Sequence, residues 1–330
     1  MDQLLESLLT LSPLPAPLPD VDTWWSRHRE ATRDIPTPIH RAMVGGFVAD
    51  RPAYAFAAGY QEAIQCLLAG AIPDPGQAKT ALCATEEGGN HPRAIRTHLA
   101  VDGDRDDTAD RIASGPAGVP IYRMHGEKRW ATLGSRAERY LVLASAGRQD
   151  DRGRNVLTAV LIPADRDGIA VTDAPAAELP FVPEIAHARL GFDNVLVKAD
   201  EILPGDGYDR YLKPFRTIED CHVHAALAAW QLQVARRAEW PEHAIEAILA
   251  LLSGASALAA ADPSSPATHL ALAGLIARAE TLAADHDGYW PRVDRETRAR
   301  WKRDRALLQV AGKARKRRRE VAWSRLRPSR

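Results

Sequence analysis

Hydrophobic positions in this chain change period twice. Leu4, Leu5, Leu8 and Leu9 fall on one side of residues 3–11, which predicts a short amphipathic helix. The run from Pro13 to Pro19 favours extended polyproline geometry. It reads as a strap docking the first helix, with a proline-motif ligand for a partner as the other use. Asp22 is placed to cap a helix through Trp24 and Trp25, which Pro36 and Pro38 stop. Tyr54, Ala57, Tyr60, Ile64 and Leu67 then recur every three to four residues, a helix with one buried face that Pro73 and Pro75 end. Residues 1–75 are thus expected to be helical.

Short apolar or alternating runs follow at 141–145, 156–163, 169–172 and 188–197. Asp-Gly and Asp-Asn turns punctuate them, which is the signature of strands. No long helix separates them, so an antiparallel sheet or open barrel fits better than a doubly wound one. After Gly205-Asp206-Gly207 the period returns to 3.6. Residues 217–239, 241–260, 266–284 and 294–326 read as four long helices, two of them joined at Asp262–Pro266. The expected fold is α+β. It has a reduced N-terminal helical region (1–75), a central antiparallel β-domain (76–206) and a C-terminal helical bundle (207–330).

Composition narrows the function classes. The chain has 330 residues and zero formal net charge, so it is no polycation seeking nucleic acid. No apolar run approaches the roughly 18 residues of a membrane span, and no secretory signal is evident. Three scattered cysteines form neither a disulfide framework nor a metal knuckle, and a cytoplasmic location is the default. Cys221-His222-Val223-His224 invites a metal reading, but helical ligand pairs need a spacing that brings further ligands in, so no metal site is expected; a core-facing Cys with partly exposed His is the plainer reading. The basic run Lys313–Arg319 reads as a solvated helix face, or as a surface for an acidic partner.

Two motifs carry more. One is Cys83-Ala-Thr-Glu-Glu-Gly-Gly-Asn90. The other is Gly126-Glu-Lys-Arg-Trp-Ala-Thr-Leu-Gly-Ser135, followed by a strand from Tyr140. A third element is Leu190–Val197, then Ile202–Gly205, then Arg216 opening a helix. In this order and spacing they resemble the middle domain of acyl-CoA dehydrogenases, over roughly residues 80–240. The resemblance implies FAD as cofactor. Thr85 would meet the pyrimidine edge of the flavin, Trp130 would cover the ring and Thr132 would sit at N5. Gly88 and Gly89 would admit a phosphate, and Ser135 would lie near the pyrophosphate. His91 either contacts phosphate or caps the turn. An acyl-CoA or related thioester is the implied substrate, with electron-transfer flavoprotein as acceptor and a homo-oligomer or partner subunit as assembly. The family's late Tyr-Glu-Gly loop is missing, as is its adenine-binding segment, and Phe215 stands where other members carry the catalytic Glu beside the Arg. Glu219 is the nearest carboxylate and a displaced base. Its other reading is an acidic residue favoured in a first helical turn, beside a Thr217–Asp220 cap. A catalytically silent homologue that scaffolds or pairs with an active subunit is the alternative function.

Overall fold

The computed structural model describes residues 1–73, 75, 78–101, 121–175 and 180–327. It divides into two compact units, one comprising Met1–Leu67, Leu179–Ile185 and Pro214–Arg330, the other Leu68–Glu178 and Ala186–Lys213. The helices of regions 1–75 and 207–330 therefore share a single unit.

In the helical unit, α1 (Asp2–Thr10) is followed by the proline strap. Leu8 and Leu18 are buried, and Arg236 donates to the carbonyls of Leu8 (2.6 Å) and Leu11 (2.7 Å). Asp20, not Asp22, caps α2 (Val21–Thr32), accepting from the Thr23 amide at 2.7 Å. Pro38 opens a helix rather than stopping one: it begins α3 (Pro38–Phe47), where its missing N–H costs nothing. α4 (Pro52–Leu68) follows as the spacing predicts.

The chain returns to helix at α5 (Lys213–Arg237), earlier than the expected 217. The Asp206 carboxylate accepts from the amides of Tyr208 and Asp209 and starts a π-helical turn, Gly207–Leu212, that runs straight into α5. Thr217 and Asp220 are consequently interior residues, not a cap. α6 (Glu242–Ala259) and α7 (Pro266–Asp285) form the expected pair. Contrary to the sequence expectation, α6 is long and apolar enough by composition to cross a membrane. Its Ala244, Ile248, Leu251, Leu252 and Ala255 are nonetheless buried in the protein, as in a bundle helix.

The expected helix 294–326 is broken into α8 (Arg295–Asp304), a 3-10 turn (Arg305–Gln309) and α9 (Gly312–Leu326). Asp304 is fully buried and accepts from the Val182 amide at 2.9 Å, and Ala311 adopts a left-handed φ of 62°. The basic run is only partly a solvated face. Arg315 and Arg318 turn inward and clamp the Asp220 carboxylate at 2.6 and 2.5 Å.

The second unit is a seven-stranded sheet in the order β1-β4-β2-β3-β7-β6, with β5 also on β4. The strands are β1 (Thr80–Cys83), β2 (His98–Val101), β3 (Ile121–Thr132), β4 (Arg139–Gln149), β5 (Asn155–Pro163), β6 (Ile169–Asp173) and β7 (His187–Lys198). The expectation of an antiparallel sheet holds for β2–β3, β3–β7, β4–β5 and β6–β7. It fails at β4, which takes β1 and the start of β2 as parallel neighbours. The β1–turn–β2 segment thus lies between β3 and β4, where only one of the two can run antiparallel to it.

One buried charge joins these strands. Glu86, just past β1, receives Lys128 Nζ at 2.6 Å, the Arg96 amide at 2.6 Å, and the Thr97 amide and hydroxyl at 3.1 and 2.8 Å. Lys128 is wholly buried. Thr97 comes this close because residue 126 is glycine: a Cβ there would lie 2.5 Å from Thr97 Cα, and its φ is +138°. Burial pushes the Glu86 carboxyl up, but the Lys128 ammonium and the amide donors outweigh it and hold the group below its ordinary range.

Lys128→Met leaves a buried carboxylate without its counter-charge and is expected to cost about 3 kcal/mol in urea unfolding, more than Glu86→Gln/Lys128→Met. The depressed Glu86 pKa stabilises the fold above about pH 4.3, the ordinary glutamate value, and that stabilisation is lost as pH falls through the folded-state value. Acid unfolding of the wild type followed by circular dichroism should show this loss, and the double variant should lack it.

Candidate functional site

The Thr85 turn is a tight reversal. Glu86 and Gly89 exchange backbone hydrogen bonds, Glu86 N to Gly89 O at 3.0 Å and Gly89 N to Glu86 O at 2.9 Å. Gly89 has a φ of +98°, which glycine adopts without strain. The Thr85 carbonyl accepts from the Arg129 amide at 2.8 Å, so the turn is laced to β3 one residue before Trp130. His91 caps the next turn: its Nδ1 accepts from the Arg93 amide at 3.3 Å.

Trp130 owes its position to a β-bulge. Lys128 faces Leu190 on β7 and Ala131 faces Ala188, so Arg129 and Trp130 together oppose Arg189 alone. The extra residue lets Lys128 and Ala131, three apart, both point inward, and both are fully buried. Trp130 takes a left-handed φ of 61°, uncommon for a bulky residue, and its side chain is 37% exposed. Thr132, opposite His187, is half-buried. Leu133 is again left-handed and leads into the 3-10 turn Gly134–Arg136, on which Ser135 is exposed.

The structure therefore places Thr85 and Trp130 on adjoining backbone, with Thr132 two residues farther along β3 and Gly88 and Gly89 in the same turn as Thr85. Ser135 stands on the separate turn beyond the strand. A half-exposed indole flanked by two threonines offers a flat apolar face with hydrogen-bonding groups nearby, a chemistry suited to a planar heteroaromatic ring.

Glu219 lies in the other unit, on α5, and is half-buried. Burial pushes its carboxyl up to about 8; Asp220 adds to the rise, while Arg315 and Arg216 oppose it. Asp220, next in the chain, is held as the charged partner of Arg315 and Arg318. The two neighbouring carboxyls are thus held differently, Glu219 raised by burial and Asp220 ion-paired with two arginines.

His222 and His224 are 1% exposed, correcting the expectation of partly exposed imidazoles. Each Nδ1 donates to a carbonyl one turn back, Ile218 at 2.8 Å and Asp220 at 2.7 Å, and the Cys221 thiol donates to the Ala255 carbonyl. Among the described residues no group of three or more His, Cys, Asp or Glu could hold a metal.

Sequence reasoning overlooked Glu86 and Lys128 as the pair that fixes this site, although both lie within the quoted motifs. The available signal was a lysine two residues before a tryptophan in a strand whose alternation turns it inward.

No family model matches the chain, and no curated protein does. Solved structures do. An FAD-dependent dehydrogenase is 15% identical, with 98% of this chain and 97% of that one covered and a TM-score of 0.69. Butyryl-CoA dehydrogenase from Megasphaera elsdenii is 13% identical, covering 98% and 94%, with a TM-score of 0.62. A glutaryl-CoA dehydrogenase from Mycobacterium smegmatis, solved in complex with FADH2, is 12% identical, covering 100% and 94%, with a TM-score of 0.61. Helices, sheet and helices match these structures in order over nearly the whole chain, and the chain has the acyl-CoA dehydrogenase fold.

Proposed function

We propose that this chain is a flavin-dependent oxidoreductase that binds FAD and acts on the CH–CH group of an acyl thioester. The observation that carries the proposal is Trp130, held half-exposed in a left-handed bulge between Thr85 and Thr132. A bulky residue in that conformation carries a local cost, and a buried ion pair two residues away sustains it. The residues present fit a flavin: Trp130 would cover the ring, Thr85 and Thr132 would hydrogen-bond its edge, Gly88 and Gly89 would let backbone approach a phosphate, and Ser135 would lie toward the pyrophosphate. When bound, flavin supplies a hydride acceptor.

The proton step falls to Glu219, the carboxyl that burial has tuned upward. A group with its pKa at about 8 is a stronger base than an ordinary carboxylate once it is ionised. An acyl-CoA is the proposed substrate, electron-transfer flavoprotein the proposed acceptor, and a homo-oligomer in the cytoplasm the proposed setting.

One observation favours a catalytically silent homologue instead. Four carboxylates of the late region, where the fold's dehydrogenases usually carry their base, are engaged. Asp287 pairs with Arg305, Glu296 with Arg300, and Asp294 caps α8. Asp304 is buried against Arg303 and the Val182 amide. Glu219 is then the test between the readings.

Protein purified with FAD should be yellow in proportion to chain, and Trp130→Ala should weaken FAD binding by about tenfold, corresponding to roughly 1.4 kcal/mol of lost stacking. Fluorescence titration reads it, and a wild type that takes up no FAD overturns the flavin assignment. With acyl-CoA as substrate, kcat/KM should rise with pH through about 8, because the base works only when ionised. Glu219→Gln should abolish turnover and leave FAD binding intact. Unchanged turnover in that variant removes Glu219 from the mechanism, while full FAD binding with no turnover in the wild type establishes the silent reading.

A further inference from the structure

Four tryptophans and a tyrosine lie ring to ring within the helical unit. Trp230 comes from α5, Trp240 from the turn between α5 and α6, Tyr289 and Trp290 from the 3-10 turn His286–Arg292, and Trp301 from α8. Arg292 ties the two turns together by donating to the Glu239 carbonyl at 3.1 Å. Ring centroids are 5.6 Å apart from Trp230 to Trp301 and 5.4 Å from Trp301 to Trp290. They are 5.5 Å apart from Trp290 to Trp240, and again 5.5 Å from Trp240 to Tyr289. All five residues belong to one unit, and none enters a step proposed above.

The four indoles are buried, whereas Tyr289 is half-buried. The Tyr289 hydroxyl lies 2.9 Å from Nε2 of His243, an exposed residue at the start of α6. Packing accounts for the buried rings. It does not call for a row that ends on a phenol within proton-transfer distance of an exposed imidazole. Indole and phenol are the ring side chains that most readily give up one electron, and rings this close exchange it. The Nε1 atoms of Trp240 and Trp301 are buried without a hydrogen-bond partner. An indole oxidised there has no acceptor for its proton and stays a cation. A cation in an apolar core is costly, which drives the electron vacancy outward.

We propose that this row of rings carries oxidising equivalents from the core to Tyr289. A one-electron oxidant of the reactive-oxygen class takes an electron from one of the indoles, and the vacancy moves ring to ring to Trp240. Tyr289 gives an electron to Trp240, restoring the indole. The Tyr289 O–H bond breaks at the same time, and its proton goes to Nε2 of His243 in the tautomer that has its own proton on Nδ1. The products are a neutral phenoxyl radical and an imidazolium. A soluble thiol then returns a hydrogen atom to the phenoxyl oxygen and becomes a thiyl radical, and the imidazolium releases its proton to water. The path concerns the chain with or without a cofactor and does not rest on the flavin reading.

Ultraviolet photoionisation, with an electron scavenger present, oxidises tryptophans whatever their burial. A nitroso spin trap then marks tyrosyl radicals, and peptide mass spectrometry locates the adducts. Tyr289 should be a major adduct site in the wild-type chain. Trp240→Phe keeps a ring in place but resists oxidation, and should cut the Tyr289 adduct severalfold. His243→Leu, at an exposed position, should also cut it severalfold. Tyr289→Phe should turn the damage inward and raise kynurenine at Trp240 and Trp290 severalfold. No adduct on Tyr289 in the wild type overturns the path. An adduct as abundant in Trp240→Phe as in the wild type shows direct oxidation of Tyr289 and overturns it too, and an undiminished adduct in His243→Leu overturns the role given to His243. Should Trp240→Phe fail to fold, Tyr289→Phe decides, since kynurenine unchanged from the wild type also overturns the path.

Discussion

The sheet is organised around a buried carboxylate. Removing Glu86 and Lys128 from water is costly, and their attraction offsets that cost only with the help of the Arg96 amide and of the Thr97 amide and hydroxyl, which also donate to the Glu86 carboxylate. Meeting this demand dictates the surrounding backbone. Thr97 must come close enough to give both its amide and its hydroxyl, which requires glycine at 126. Lys128 must face inward, and with Ala131 also buried the strand has to carry an extra residue between them. That residue is Trp130. Its exposure and its left-handed backbone are therefore consequences of where the charge beneath it had to go.

The helical unit solves a related problem differently. Glu219 and Asp220 are adjacent, and two neighbouring carboxylates resist ionising together. Two arginines reach Asp220 from α9 and pair with its carboxylate. Glu219 has no such bidentate partner among the described residues, and burial leaves it neutral at pH 7. Separating the protonation states of paired carboxyls is how sites obtain an acid and an anion from the same side chain. Here it also explains the basic run at 313–319. The run is not uniform: Arg315 and Arg318, three apart on one helix face, act internally, while Lys316, Arg317 and Arg319 remain exposed.

Much of the fold was legible because burial on one face writes a period into the sequence. The strands 141–145, 156–163, 169–172 and 188–197 fall within β4, β5, β6 and β7. Thr85, Trp130 and Thr132 were legible as a set through motif order, and the structure places them on joined backbone. The parallel pairing of β1 with β4 was not legible, because pairing direction between distant segments leaves no local period. Nor was the break at Ala311: left-handed backbone at an alanine carries no side-chain signature, and a buried Asp304 looks in sequence like any exposed helical aspartate.

The two histidines of α5 show the same limit from the opposite side. In sequence, His222 and His224 look polar and therefore surface-directed. Each satisfies one nitrogen within its own helix, donating to the carbonyl four residues back, and so needs no partner from outside to enter the core. Neutralised by burial, such a ring packs much as an aromatic residue does, but it keeps a second nitrogen that the helix cannot satisfy. A chain in which burial places one neutral acid and one neutral imidazole on the same helix, one turn apart, has its polar chemistry set by what is kept from water rather than by net charge, which is zero.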